Sequence, residues 1–138
     1  MTTQLAVCSY GEYRPEMGMA VRTSRGIPRF FRYGELPAME AVTPDGYMLR
    51  LPYEVFRKKY RAKLDDAGVD TIQASFDALA RMRSEMTGAP PQQLVLLCYE
   101  KLNVPDKWCH RSVFAEWWEE RTGQEVVELG ATCEPHLF

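Results

Sequence analysis

The chain has 138 residues, 46% of them hydrophobic and 26% charged, with a formal net charge of −2. This is ordinary globular composition at the length of one domain, which argues against a disordered polymer and leaves room for a single sizeable core. The near-neutral balance provides no global field drawing the chain to nucleic acid or an anionic membrane, and no apolar run approaches the roughly 18 residues that span a bilayer.

In chain order, Gln4 to Cys8 reads as a short apolar strand closed by the turn Ser9-Tyr10-Gly11. Met19 to Ser24 reads as a second, stopped at Arg25-Gly26-Ile27-Pro28 because Gly and Pro do not continue a strand. From Phe30 to Leu51 the chain mixes aromatics with Gly34, Pro37, Pro44 and Gly46, the mark of an ordered but irregular segment. Pro52 suits a first helical turn, and Tyr53, Phe56, Tyr60 and Leu64 follow at helical spacing until Asp65-Asp66-Ala67-Gly68. Asp70 or Thr71 is placed to cap a second helix carrying Ile72, Phe76, Leu79, Arg83 and Met86, which ends at Gly88-Ala89-Pro90-Pro91.

Leu94-Val95-Leu96-Leu97-Cys98 is an apolar run typical of a buried strand. A helix from about His110 to Thr122 carries Val113, Phe114, Trp117 and Trp118 on its apolar side, and Glu125 to Leu129 forms a last strand. Strand, helix and strand in close succession predict a right-handed βαβ unit with parallel strands. The expected architecture is α/β: a single domain over residues 1–138, built on one small, mostly parallel sheet with helices on both faces.

Chemistry concentrates where the Cys98 strand gives way to the His110 helix. A thiol reacts as its thiolate, and a cation with a helix amino terminus favours that form, so Cys98 opposite Arg111 is the candidate nucleophile. Glu100, two residues on, points to the same face as Cys98 in an extended chain and can act as acid or base, or orient Arg111. His110 can serve as a base and Cys109 as a resolving thiol. Ser24, Arg25 and Arg29 can bring hydroxyl and guanidinium groups to the same sheet edge and bind substrate there. Each residue also has a structural alternative. Cys98 can be the last small core residue, Glu100 and Arg111 an ordinary ion pair, His110 a helix cap, and Cys109 a packing residue beneath Trp108 or Trp117. Arg111 is poorly placed for a cation at a helix start unless something negative lies beside it, either an anion or Glu100.

The Leu96-Leu97-Cys98-Tyr99-Glu100 segment followed by Cys109-His110-Arg111 resembles the signature of domain-of-unknown-function family 488, with its hydrophobic strand, Cys-x-Glu, short loop and Cys-His-Arg. Ser24-Arg25-Gly26-Ile27-Pro28 resembles the Ser-x-x-x-Pro segment of one branch of that family. The resemblance runs from about Met19 to Leu129. It implies a Rossmann-like fold distantly related to rhodaneses and cysteine phosphatases, in which a strand-end Cys and a helix-start Arg bracket an anion. The compact Cys-x5-Arg loop of those enzymes is missing here, since twelve residues separate Cys98 from Arg111. The family supplies no agreed activity to transfer.

Two readings from other classes remain. Cys109, Cys133 and His136, joined by His110 or Cys98, offer ligand types for zinc without the usual ligand spacing. Tyr10, Tyr13, Phe30, Phe31, Tyr33, Tyr47 and Tyr53, interleaved with Arg14, Arg22, Arg25, Arg29 and Arg32, suit a module that stacks on bases and clamps phosphates, or simply cover a core. A second basic group, Arg57 to Lys63, leaves a local anion site open. The four cysteines are expected to be reduced thiols, and the absence of a basic n-region and an apolar h-region makes a soluble, cytoplasmic protein the expectation. The reading as a whole is a cysteine-dependent enzyme without cofactor, acting on a small anionic or nucleotide-like substrate or a nucleic-acid base. The alternative is a zinc-, nucleotide- or nucleic-acid-binding module.

Overall fold

The computed structural model describes residues 3–34, 36–99 and 110–129. Four strands, β1 (Leu5–Ser9), β2 (Met19–Arg22), β3 (Leu94–Cys98) and β4 (Val127–Glu128), form one sheet in the order β2-β3-β1-β4, with all neighbours parallel. All five residues of β1 and all five of β3 are buried, as parallel strands covered on both faces require. The expected βαβ pair, β3 and β4, is parallel, and β1 lies between its two strands.

The helices are α1 (Tyr53–Ala67), α2 (Val69–Thr87) and α3 (His110–Thr122). Gly68, at φ +89°, ends the first and begins the second: its N–H donates to Leu64 O at 3.0 Å and its carbonyl accepts from Ile72 N at 3.1 Å. The anticipated caps Asp70 and Thr71 therefore lie within the first turn of α2, because a residue free to adopt positive φ makes the break earlier. Between residues 30 and 51 the chain is irregular as expected, with short 3-10 turns at Glu40–Val42 and Gly46–Arg50.

Strand parity divides the core in two. Leu5, Val7, Met19, Val21, Leu94 and Leu96 face Phe56, Tyr60 and Leu64 of α1, Ile72 and Phe76 of α2, and Phe114, Trp117 and Trp118 of α3. Ala6, Cys8, Ala20, Val95 and Leu97 face the other way and are covered by Tyr10, Tyr13, Met17, Phe31 and Leu36. The α/β class and the parallel sheet stand. Among the described residues, the cover of this second face is a 3-10 turn at Pro15–Met17 and aromatic loop residues, with all three α-helices on the first. Ala6, Cys8 and Ala20 are small enough for flat aromatic rings to fill that layer.

A crossover as short as residues 10–18 brings the start of β2 hard against β3. Met19 N donates to Gln93 O at 2.9 Å, and a Cβ on Gly18 would lie 2.5 Å from that same oxygen. Gly18 also sits at φ +140°, so no other residue fits.

Candidate functional site

At the carboxyl edge of the sheet, each strand follows its last helix-facing apolar residue with a polar one. Val21 gives way to Thr23, Leu96 to Cys98, Val7 to Ser9 and Val126 to Glu128. Ser9 is level with Cys98 in the register of β1 and β3, and Arg22 is level with Leu97, which puts Thr23 beside Cys98. The ladder continues past the strands through Thr23 N to Leu97 O at 3.3 Å and Tyr10 N to Cys98 O at 2.9 Å. Thr23, Cys98 and Ser9 thus form one row across three neighbouring strands, at the edge where open α/β sheets bind ligands.

The first turn of α3 closes over this row. Helical spacing carries Phe114, Trp117 and Trp118 into the core, and the same face turns His110 and Arg111 inward, both buried. Arg111 Nη1 donates to Cys98 Sγ at 3.1 Å, and its Nε donates to Glu128 Oε1 at 3.0 Å. An enclosed guanidinium is costly unless it is paired, and Glu128 supplies the negative charge that a cation at a helix start demands. The Glu128 side chain is 25% exposed and brings this network to solvent.

His110 Nε2 lies 3.0 Å from Thr23 Oγ1, while that hydroxyl donates to Leu97 O at 2.9 Å. A hydroxyl has one proton to give, so His110 is the donor and carries its proton on Nε2. Burial pushes the imidazole far down from its usual value of 6.5, to about 3; hydrogen bonding to the Thr23 backbone opposes the shift and the Arg111 charge adds to it. The space among Val7, Thr23, Tyr60, Leu96 and His110 is too tight for a water molecule. His110 is therefore neutral at neutral pH, and Arg111 is the charged group beside Cys98 Sγ.

Of the candidate site residues, the structure places Arg111 on Cys98 and His110 on the neighbouring Thr23. Ser24 reaches the same edge, where its hydroxyl meets Tyr10 Oη at 2.7 Å and donates to Gly26 O at 2.5 Å. Arg25 is turned to the surface in an ion pair with Glu40 at 2.5 Å, and Arg29 is exposed. Glu100, Cys109, Cys133 and His136 lie outside the described residues. Cys98 is fully buried at its strand end, because α3 packs across it. One expectation is corrected. The cysteines were expected to be reduced, and Cys98 is disulfide-bonded, while Cys8 is a free thiol.

Thr23, Ser9 and Glu128 were missed. Their signal is the alternation Met19-Val21-Thr23, Leu5-Val7-Ser9 and Val126-Glu128, in which a polar residue takes the position where the apolar face should continue. Ser9 Oγ donates to Glu12 Oε1 at 2.6 Å, adding a carboxylate to the edge.

The second basic group is largely taken up within the fold. Arg57 pairs with Glu116 at 2.7 Å, Arg61 with Glu120 at 2.6 Å, and Lys63 with Asp45 at 2.9 Å. Among the described residues, no group of three or more His, Cys, Asp or Glu is arranged to hold a metal ion, and no helix is long and apolar enough to cross a membrane. Comparison with known proteins yields no matching family model, no matching curated protein and no matching solved structure.

Proposed function

We propose that this domain is a cysteine-dependent enzyme of the transferase or hydrolase type, in which reduced Cys98 attacks an anionic, nucleotide-like substrate at the carboxyl edge of the parallel sheet. The observation that carries this reading is the 3.1 Å approach of Arg111 Nη1 to Cys98 Sγ. A guanidinium in that position favours a thiolate over a thiol and is equally suited to a phosphate or carboxylate entering beside it. Glu128 fixes the orientation of Arg111 through Nε, and the neutral His110 holds Thr23 in the row beside Cys98.

Cys98 first has to be released from its disulfide. A dithiol supplies the two electrons and two protons, leaving as its own disulfide. The Cys98 thiolate then uses its electron pair to bond the electrophilic atom of the substrate, and the leaving group departs with the pair of the broken bond. The resemblance of the Cys-x-Glu and Cys-His-Arg segments to family 488 agrees with this assignment and supplies no substrate.

The test is alkylation. The full chain is reduced with a dithiol, freed of reductant and treated with iodoacetamide across pH 5 to 9, with modification at Cys98 followed by peptide mass mapping. Cys98 is expected to react at lower pH than the same residue in denaturant, and Arg111→Met is expected to remove that advantage. Millimolar phosphate is expected to slow the reaction in the parent protein. Equal rates for folded and denatured Cys98 at every pH would overturn the assignment.

A further inference from the structure

We propose that the face of the sheet away from the helices binds single-stranded nucleic acid through an apron of exposed aromatic rings and exposed arginines. Residues 22 to 34 contain Arg22, Arg25, Arg29 and Arg32 and no acidic residue, in a chain whose net charge is −2. Arg25 is taken by Glu40, but Arg14, Arg29 and Arg32 are exposed and in no ion pair with the described residues. The turn from Pro28 to Phe31, closed by Phe31 N to Pro28 O at 3.1 Å, places Arg29 and Phe30 at its two central positions. Arg32 Nη1 donates back to Arg29 O, which keeps the two guanidinium-bearing residues on either side of Phe30.

Core cover accounts for Tyr10, Tyr13 and Phe31, which pack on the small residues of the sheet. It does not account for Tyr33 and Tyr99 at the ends of the row, 41% and 48% exposed, or for Phe30 in the adjoining turn, 58% exposed. From Tyr99 the rings run to Tyr10, Phe31 and Tyr33 in steps of 5.2, 5.8 and 5.5 Å. Such a row, with exposed Arg14, Arg29 and Arg32 outnumbering Glu16 beside Tyr13, matches a polymer that is anionic along its backbone and presents a flat π-face at each base. A duplex hides those faces in its own stack, so the occupant is the single strand.

Tyr99 packs on Tyr10 on the aromatic face, whereas Cys98 points under α3 on the other, so binding does not rest on the enzyme reading, and measuring it on the Cys98→Ser variant separates the two.

The experiment is fluorescence anisotropy of a labelled oligothymidylate of about 15 nucleotides, its oligouridylate counterpart, and a duplex of the same length, titrated with the full chain. Saturable binding of a single strand is expected, with log affinity against log salt falling at a slope of about −2 for three phosphate contacts. The tighter of the two oligomers identifies DNA or RNA. Phe30→Ala and Tyr33→Ala are each expected to weaken binding about tenfold, Arg29→Glu to weaken it and flatten the salt slope, and Cys98→Ser to leave it unchanged. Phe30 is more than half exposed, so its variant remains folded and decisive even where Tyr33→Ala does not. No saturable binding, a duplex bound as tightly as the single strand, or full affinity in Phe30→Ala would each overturn the proposal. Loss of alkylation reactivity with binding intact would instead remove the enzyme reading alone.

Discussion

Nε of Arg111 and Oε1 of Glu128 lie 3.0 Å apart, the guanidinium fully enclosed and the carboxylate a quarter exposed, across the gap between the first turn of α3 and the last strand. The asymmetry decides what each substitution does. Glu128→Gln removes a compensating charge from a buried cation, and about 1 to 3 kcal/mol of stability is expected to be lost. Arg111→Lys keeps the charge without the planar fork and is expected to fall part of that way. Urea unfolding of both variants beside the parent checks this, and a loss within about 0.5 kcal/mol for Glu128→Gln would mean that the pair does not hold α3 against β4.

The buried imidazole makes stability depend on pH. His110 protonates near 6.5 in an unfolded chain and at about 3 in the fold, so in between the unfolded state binds more protons. Its contribution is complete above pH 6.5 and is lost as pH falls toward 3, at up to about 1.4 kcal/mol per pH unit. Denaturant midpoints measured from pH 4 to 8 should show this slope, and His110→Gln should flatten it relative to the parent. Parallel pH curves for the two proteins would place the protonation elsewhere.

Cys8 and Cys98 are separated in chemistry by the sheet between them. Cys8 points to the aromatic face, where burial, ahead of the charge of Glu12, pushes its thiol up to about 11. In native protein at pH 8, Cys8 is expected to resist iodoacetamide for as long as the fold persists, and Cys8→Ala is expected to change stability little. Peptide mapping after alkylation with and without a dithiol tests both sulfurs at once. Rapid native labelling of Cys8 would contradict the raised pKa of its thiol.

Much of the fold was legible because its cues are local. The α3 span, from His110 to Thr122, follows from apolar positions 113, 114, 117 and 118 and from Gly123, and the buried β3 follows from an uninterrupted apolar run. The start of α2 was misplaced because Gly68 alone both ends one helix and opens the next. Cys98 and Arg111 could be paired in the sequence because a strand end and a helix start are adjacent in any α/β crossover. Glu128 could not be found that way, because its approach to Arg111 depends on β4 pairing with β1, a consequence of sheet order that no local pattern encodes. The disulfide at Cys98 was equally hidden, since four cysteines at irregular spacing carry no pairing rule.

Thr23 joins the sheet to α3 through a single oxygen. Its hydroxyl gives its proton to Leu97 O and receives the one on His110 Nε2, so removing it strands a buried N–H in a space too tight to admit water. Thr23→Val preserves shape and β-branching and deletes only these bonds, for which a loss of about 1 to 3 kcal/mol is expected. Thr23→Ser keeps the oxygen and should recover most of that loss. A packing role predicts the opposite order, with Val tolerated and Ser penalised for the missing methyl group. Nitrogen chemical shifts of His110 give a second reading: the parent should show the Nε2–H tautomer, retained in the Ser variant and perturbed in the Val variant. A parent spectrum showing the Nδ1–H form would reverse the direction of the bond and make Thr23 the donor to His110.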